Sequence, residues 1–566
     1  MNRIVALILA LVMSLSLVAC GKAGSGAKSE EEQITLTIGI LNKVNVLDWE
    51  DNEFTKWLEE ETGYNLEFQH FASTADEAKS QLATMMAGGE KLPDLILNLL
   101  LWPEERDQFG AEGYFVDLNT YLEDEEFMAN YDYDEAIEKN LSEELQALLK
   151  LKLMDIDGHM YAFPQVASPE GGGTGGHTVH INKVWLDNLG LEMPTNLDEL
   201  KEVATAFMTQ DPNGNGQADE IPILSRISAG TTNNAVQWII ENYSLGTIYF
   251  YGVDGNGKIF LPWLTEEYRE GLKKVNEFYE AGLIPELCWT MQSASELSSI
   301  TSPADNVAKV GVIFAYTSDW AKNESPVMEE YVPLFPFEGS YAYVLPTSIK
   351  PASNFITTDC ENPEAAMDLL LTIASPEGVR RQRYGVPEVD WTWDEDVDTG
   401  IRGIKILNSE AFSGQTKQTW GQETVRMSWY TSLEEEGLKD PAPAIEIIST
   451  PLENRSWLER RSAMSRAYAR GYLEVNAQST RDEKKLEFTP VFTLEESEEL
   501  GSLEHTLSSF YKEMNAKFSV GELDISDDAV WQKYLDEAAK MGAARAVEIQ
   551  QTGYERSLNL LEGYKD

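Results

Sequence analysis

Basic side chains and the nitrogen and sulfur metal ligands are scarce in this chain of 566 residues, which carries five His, three Cys and 44 Lys plus Arg against 96 Asp plus Glu. Phosphate is held by clustered Lys and Arg, so a formal net charge of −52 argues against nucleic acid or anionic lipid as a partner. The acidity itself reads as a solvated, solubilising surface. Cys-x-x-Cys, His-Glu-x-x-His, Gly-x-Ser-x-Gly and the P-loop are all missing, which removes the common redox, zinc, acyl-transfer and phosphoryl-transfer signatures. So many carboxylates always permit a glycosidase-type pair, and a surface carbohydrate-active enzyme therefore stays as an alternative. Long apolar runs are missing too, with one exception at the start.

That exception sets the compartment. Arg3 is a short positive region, Ile4 to Leu17 is too short and too early for a stable membrane span, and Leu17-Val18-Ala19-Cys20-Gly21 follows. The run resembles a bacterial lipoprotein signal, which implies removal of residues 1–19 and lipidation of Cys20. Residues 20–33 are Gly/Ser-rich and charged, a flexible tether suited to holding a body off the extracellular face of a membrane. Cys288 and Cys360 remain and are expected as free, buried thiols, their pairing being left open by spacing alone.

Beyond the tether the length requires more than one core. Ile34 to Ile40 alternates as a strand; Phe54, Trp57 and Leu58 mark one helix face that Gly63 can end; a second strand lies near Leu66 and Phe68. Residues 75–87 read as a helix broken at Gly88-Gly89, and Pro93 to Leu97 as a buried third strand. Strands alternating with helices give an α/β layer with a parallel sheet, whose ligands sit outside the carboxyl ends of the strands. This places Asp48, Trp49, Asn98 and Trp102 near one crevice.

From Asp157 the pattern changes to an extended segment, then the Gly-rich stretch 170–176 with Glu170, then a new strand from His177 to Asn182. A strand follows these glycines where a nucleotide loop requires a helix, so the stretch reads as an interdomain crossing. Asn362 and Pro363 open a later helix with Ala366, Leu369 and Leu370 on its buried side, and Val530, Trp531, Tyr534 and Leu535 form a core-facing helical stripe.

In order, Thr62-Gly63, Gly89 through Pro93-Asp94-Leu95-Ile96, Asp157 to Pro164, Ile181 to Leu191, Val310-Gly311-Val312, Leu345-Pro346-Thr347 and Asn362 to Ala366 resemble the extracellular solute-binding proteins of carbohydrate ABC importers. That class includes maltose-binding protein and the alginate- and oligosaccharide-binding lipoproteins. The resemblance implies an α/β, two-lobed periplasmic-binding-protein-like (type II) fold with a hinge and extra C-terminal helices. The N-terminal lobe is expected from 34–164 plus 341–390 and the C-terminal lobe from 165–340 plus 391–566, with crossings near 165–178, 335–341 and 385–395. It also implies a non-catalytic monomer that captures an oligosaccharide between its lobes and delivers it to ABC permease subunits, held to the membrane by lipid alone. A binder of peptide or another solute, or a sensor component, is the alternative within the same fold.

Sugars present apolar C–H faces and a rim of hydroxyls, so aromatic platforms beside carboxylates and amides suit them. Trp102 and Trp320 stand where the resembled family places cleft aromatics. Asp48, Trp49, Asn98 and Glu170 join them by position, and Trp238, Trp391 and Trp393 complete the expected ligand set.

One motif points to a metal. In Asp211-Pro212-Asn213-Gly214-Asn215-Gly216-Gln217-Ala218-Asp219-Glu220, counting from Asp211 puts Asn213, Asn215, the Gln217 carbonyl and Asp219 at calcium-loop spacing, with Gly216 at the tight turn. Pro222 replaces the usual terminal Glu, and Glu220 can supply the missing carboxylate. A similar loop binds structural calcium in the alginate-binding branch of the resembled family; the other reading is a tight turn.

Overall fold

The computed structural model describes residues 33–42, 46, 48–101, 103–131, 133, 137–138, 143–163, 166–167, 178–227, 234–245, 251–320, 325–341, 348–349, 353–393, 404–408, 420, 464, 467, 484–485 and 490–564. The chain opens as β1 (Thr35–Leu41), α1 (Glu53–Thr62), β2 (Asn65–Phe71), α2 (Ala75–Gly88) and β3 (Leu95–Leu97), then α3 (Pro103–Ala111) and α4 (Glu143–Leu153). Asn52 caps α1 by accepting the Phe54 amide at 3.1 Å, and Gly63 ends it with φ 76, the left-handed turn that glycine adopts without steric cost. Strands β2 and β3 both lie parallel to β1, with Thr35 opposite Asn65 and Ile38 opposite Leu95.

A short strand β4 (Val166–Ala167) follows, and a second α/β body begins with β5 (Val179–Asn182). Next come α5 (Leu197–Thr209), β6 (Ile221–Ser225), α6 (Ala235–Ile240), α7 (Glu266–Glu280), β7 (Val310–Phe314) and β8 (Tyr331–Pro333). The chain then returns through β9 (Ser348–Ile349) to β10 (Phe355–Ile356), α8 (Pro363–Ala374) and α9 (Pro376–Tyr384). A hairpin of β11 (Trp391–Trp393) and β12 (Ile404–Ile406) and the helices α10 (Leu494–Ser519), α11 (Asp528–Lys540) and α12 (Ala543–Gly563) complete the fold.

Two four-stranded sheets result, ordered β10-β3-β1-β2 and β8-β5-β7-β6. In the first, Leu95 and Leu97 enter one core beside Ile38 and Ile40, whereas Ile96 enters another with Leu82, Phe115 and Phe355. Burial on both faces explains the uninterrupted apolar run of β3, since a parallel sheet is covered on each side. Gly39 is required by closeness: a Cβ there would lie 2.6 Å from Pro93 and 2.7 Å from Phe71. The second sheet shares a core with Trp185, Phe207, Trp238 and Leu272, and Phe518, Trp531 and Tyr534 of the C-terminal helices pack into it.

The bodies are joined by β4 and β9, which pair antiparallel with Ala167 opposite Ser348 and Val166 opposite Ile349. Phe337 is still in the second core and Phe355 already in the first sheet, so the returning passage lies beyond the expected 335–341 segment. Helix α8 begins at Pro363 with Ala366, Leu369 and Leu370 fully buried, although the Asn362 side chain makes no capping bond. The C-terminal helices reach both bodies, α10 packing on α7 and α3, and α12 on α4. Trp420, from the stretch expected in the second lobe, is instead fully buried in the first core, where Phe54 and Phe68 offer it edge contacts at 5.0 and 5.6 Å. Cys288 and Cys360 are buried thiols outside any disulfide, one in each body, and burial pushes each up to about 12. Among the described residues no helix is long and apolar enough to cross a membrane.

Candidate functional site

Both sheets are mixed, with β10 antiparallel to β3 in the first and β5 antiparallel to β7 and β8 in the second, and each opens at the carboxyl ends of its parallel strands, where the chain turns. In the first body that rim consists of the segments after β1 and β3. Asp48 holds one of them as a local turn, its Oδ1 accepting the Asp51 amide at 2.9 Å and its carbonyl accepting Asn52 Nδ2 at 3.2 Å. Asn98 follows β3 directly with φ 56, a left-handed backbone uncommon for a residue with a side chain. Its N–H donates to Asn354 Oδ1 at 3.0 Å.

The corresponding rim of the second body lies beyond β6 and β7, beside the start of the antiparallel β5. Thr178 Oγ1 donates to the Ala315 carbonyl at 2.6 Å and ties these strand ends together. Arg226, immediately after β6, comes within 3.4 Å of the Asp319 carboxylate, and both side chains keep partial access to solvent, 18% and 24%. Sequence reasoning missed this pair. A readable signal was there: a lone cation in the first position after a buried strand, and an acid in the segment after β7. Guanidinium and carboxylate together offer directed donors and acceptors of the kind sugar hydroxyls require.

The expected aromatics divide by burial. Trp49 lies in a cluster with Phe68, His70 and Trp420, its centroid distances being 5.5, 5.1 and 6.0 Å. Trp238 packs edge-on against Phe314 and Phe337 at 5.4 and 4.9 Å. Trp320 is enclosed by His180 at 4.9 Å and Tyr331 at 5.2 Å, with 0% of its surface exposed. None of these three presents an open indole face in this conformation. His180 itself sits wholly inside the sheet, and burial pushes it down to about 3, which keeps it neutral.

Trp391 is buried and donates its Nε1 to the Gly385 carbonyl at 3.1 Å. Gly385 has φ 86, and a Cβ there would meet the buried Asp390 carboxylate at 2.4 Å. Trp393 behaves otherwise: it is 47% exposed, edge-on to Trp391 at 5.4 Å, with the Arg380 guanidinium 5.7 Å from its ring centre. Val389 and Leu407, which flank the same strand pair, are also exposed. Trp102 and Glu170 lie outside the described residues, as does Cys20.

The loop after α5 turns its oxygens inward. The Asp211 carboxylate accepts the amides of Asn215 at 3.1 Å and Gly216 at 3.0 Å, Asn213 Oδ1 accepts the Asn215 amide at 3.0 Å, and Asn215 Oδ1 accepts that of Gln217 at 2.7 Å. Asn215 Nδ2 donates to Asp219 Oδ1 at 3.0 Å, and the Lys309 ammonium is 3.2 Å from the other carboxylate oxygen. The Asn215 amide and then Lys309 hold Asp219 below its ordinary range, whereas burial raises Glu220. Glu220 Oε1 is buried with no hydrogen-bond partner among the described residues. Among those residues no three His, Cys, Asp or Glu side chains converge as a metal cluster: Asp211 is turned to the Asn215 and Gly216 amides and Asp219 to Lys309, so these carboxylates and Glu220 are not gathered around one point in this structure. An orphaned carboxylate oxygen beside Asp211, Asp219 and two Asn side chains is a donor set of the hard-oxygen kind that calcium prefers.

Two α/β bodies joined by a paired hinge, with polar rims at their strand ends, define the two-lobed solute-binding fold. Over nearly its whole length the chain superposes on members of that class. An HMO-binding, ABC-transporter-associated solute-binding protein from Bifidobacterium longum infantis matches with a TM-score of 0.70 and 20% identity over 93% of this chain and 99% of that one. The substrate-binding protein FusA of Streptococcus pneumoniae, in complex with kestose, matches with a TM-score of 0.67 and 20% identity over 93% and 99%. A FusA EF-hand mutant in complex with fructo-nystose gives the same TM-score of 0.67. In sequence, the fructooligosaccharide ABC-transporter substrate-binding protein FusA is 33% identical to this chain over 234 residues, which are 40% of each. The match thus spans less than half the length of that curated relative. The relatives and neighbours are substrate-binding proteins of carbohydrate ABC transporters, the family the sequence resembles. No family model matches the chain.

Proposed function

We propose that this protein is the extracellular substrate-binding component of a carbohydrate ABC importer, capturing an oligosaccharide between its two bodies and delivering it chemically unchanged to permease subunits. One observation carries the reading: a chain 33% identical over 234 residues to a fructooligosaccharide-binding relative folds as two α/β bodies on a paired hinge. Closure over the ligand is then a hinge motion of the kind this architecture permits. The Arg226–Asp319 pair, Asp48 and Asn98 serve as hydrogen-bonding groups of the rims. Trp393 is the exposed aromatic platform, and Trp102 and Glu170 remain expected contributors.

Cys20 carries the lipid anchor in this reading, and residues 20–33 act as the tether of a monomer on the outer face of the membrane. Calcium belongs to the Asp211–Glu220 loop, held by Asp211, Asn213, Asn215, the Gln217 carbonyl, Asp219 and Glu220. When bound it supplies a fixed positive centre that pins the end of α5 to β6 and takes no part in ligand chemistry. Calorimetric titration with oligosaccharides, monosaccharides and short peptides, followed by chromatography of the recovered sugar, tests the reading. Saturable binding of an oligosaccharide recovered intact is expected; cleaved sugar, or binding of peptide alone, overturns it.

A further inference from the structure

Asn354 is fully buried and sits where three separate segments converge. Its carbonyl accepts the Phe163 amide at 2.8 Å, three residues before the hinge strand β4. Its own segment descends from the other hinge strand, β9, and enters the first sheet at β10. Its side-chain Oδ1 accepts the Asn98 amide at 3.0 Å, and the neighbouring Ser353 carbonyl accepts the Leu99 amide at 3.0 Å. Both roots of the hinge and the rim loop after β3 are therefore bonded to two consecutive residues.

We propose that Asn354 is a positioning residue that couples the hinge to the rim loop after β3, so that this loop moves with the hinge strands as one unit. The inference rests on the crevice reading above, in that the loop it positions carries Asn98. Three features support it. Asn98 has φ 56, a left-handed turn that Asn adopts more readily than other side-chain-bearing residues, and its amide is received there by the Asn354 side chain. Leu99, Phe163 and Asn354 are buried and Asn98 is half-buried, so an amide donor left there without its acceptor is costly. Asn354 Nδ2 and Ser353 Oγ are both buried without a hydrogen-bond partner among the described residues. A folded core gains nothing from such atoms, which makes an apolar residue at 354 the better packing choice unless the Oδ1 bond is what matters.

The test is hydrogen exchange resolved to single amides, on the mature full-length protein without sugar, for wild type and Asn354→Ala. The variant should exchange the amides of Asn98, Leu99 and Phe163 at least tenfold faster. The Asn42 amide, which follows β1 and donates to the Phe71 carbonyl at 3.1 Å, should be unchanged. Acceleration confined to Asn98 means a local cap, and equal acceleration at Asn42 means general loosening; either overturns the proposal. If the variant does not fold, wild type decides alone: one shared protection factor for Asn98, Leu99 and Phe163 is expected, and unrelated values overturn the coupling. Because no sugar is present, failure here is separate from failure of the oligosaccharide reading.

Discussion

Trp420 Nε1 donates a hydrogen bond to Thr55 Oγ1 at 2.8 Å, and Thr55 Oγ1 in turn donates to the Trp49 carbonyl at 2.6 Å. A residue from late in the chain thus completes the core around the first helix of the fold. Trp420→Ala removes a fully buried indole and leaves Thr55 without its donor. A loss of about 3–5 kcal/mol is expected, the range of large-to-small changes in a packed core. Denaturant melts of wild type and variant measure it, and a change under about 1 kcal/mol would show that the indole is dispensable.

Burial separates the remaining tryptophans in the same way. Trp320→Ala should lower the melting temperature as a core deletion, since its ring is shut between His180 and Tyr331. Trp393→Ala should leave the melting temperature unchanged and weaken oligosaccharide binding by roughly 1–3 kcal/mol, the cost of losing an aromatic anchor. Equal affinity in the Trp393 variant would remove this platform from the site.

The sequence made the framework readable and left the site ambiguous, for a physical reason. Alternation in β1, the Gly63 stop of α1 and the apolar stripe of α8 are local, and these elements are present. Whether an indole after a strand faces a crevice or a core depends on what arrives from elsewhere. His180, Tyr331, Phe314 and Phe337 close over Trp320 and Trp238, and no spacing near those two residues records that. Trp49 likewise reads as a rim residue until Trp420 is brought beside it across the fold. Arg226 and Asp319 each stand in a legible position after a strand, but their pairing is set by the fold, the two being 93 residues apart.

Substituting that pair separates ligand contact from structure. Asp319→Asn keeps the shape of the side chain and removes its charge, and Arg226→Gln removes the charge and the guanidinium fork while leaving a shorter polar side chain. Each should reduce oligosaccharide affinity at least tenfold with little change in melting temperature, because a partly exposed ion pair contributes little to stability. Calorimetry paired with thermal melts checks both; unchanged affinity in both variants would exclude the pair from the site.

Chelation tests the loop after α5. Removal of calcium should lower the melting temperature by roughly 5 °C or more while leaving the order of sugar preferences intact. Asp211→Ala should reproduce the effect and abolish any further response to chelator. Identical melts with and without metal, after metal removal is verified, would reduce the loop to a tight turn.

Acid sensitivity has an identifiable source in the C-terminal helices. The Arg556 guanidinium spans the Glu496 carboxylate with bonds of 2.8 and 3.0 Å and is the main cause that holds Glu496 below its ordinary pKa. A depressed carboxylate contributes stability that is fully present above its unfolded pKa of about 4.3 and is lost as pH falls through the lower folded value. Arg556→Gln should therefore lower stability at neutral pH, on the order of 1 kcal/mol, and flatten its decline below pH 4. Parallel declines in both proteins would assign the acid response to other carboxylates.

Isothermal calorimetry of the purified mature protein against a graded set of fructo-oligosaccharides and other oligosaccharides addresses the central claim most directly. The account predicts a saturable, one-to-one isotherm for at least one oligosaccharide, with heat that stops when the site is full. An absence of heat with every oligosaccharide tried, or a steady heat of turnover after saturation, would contradict it.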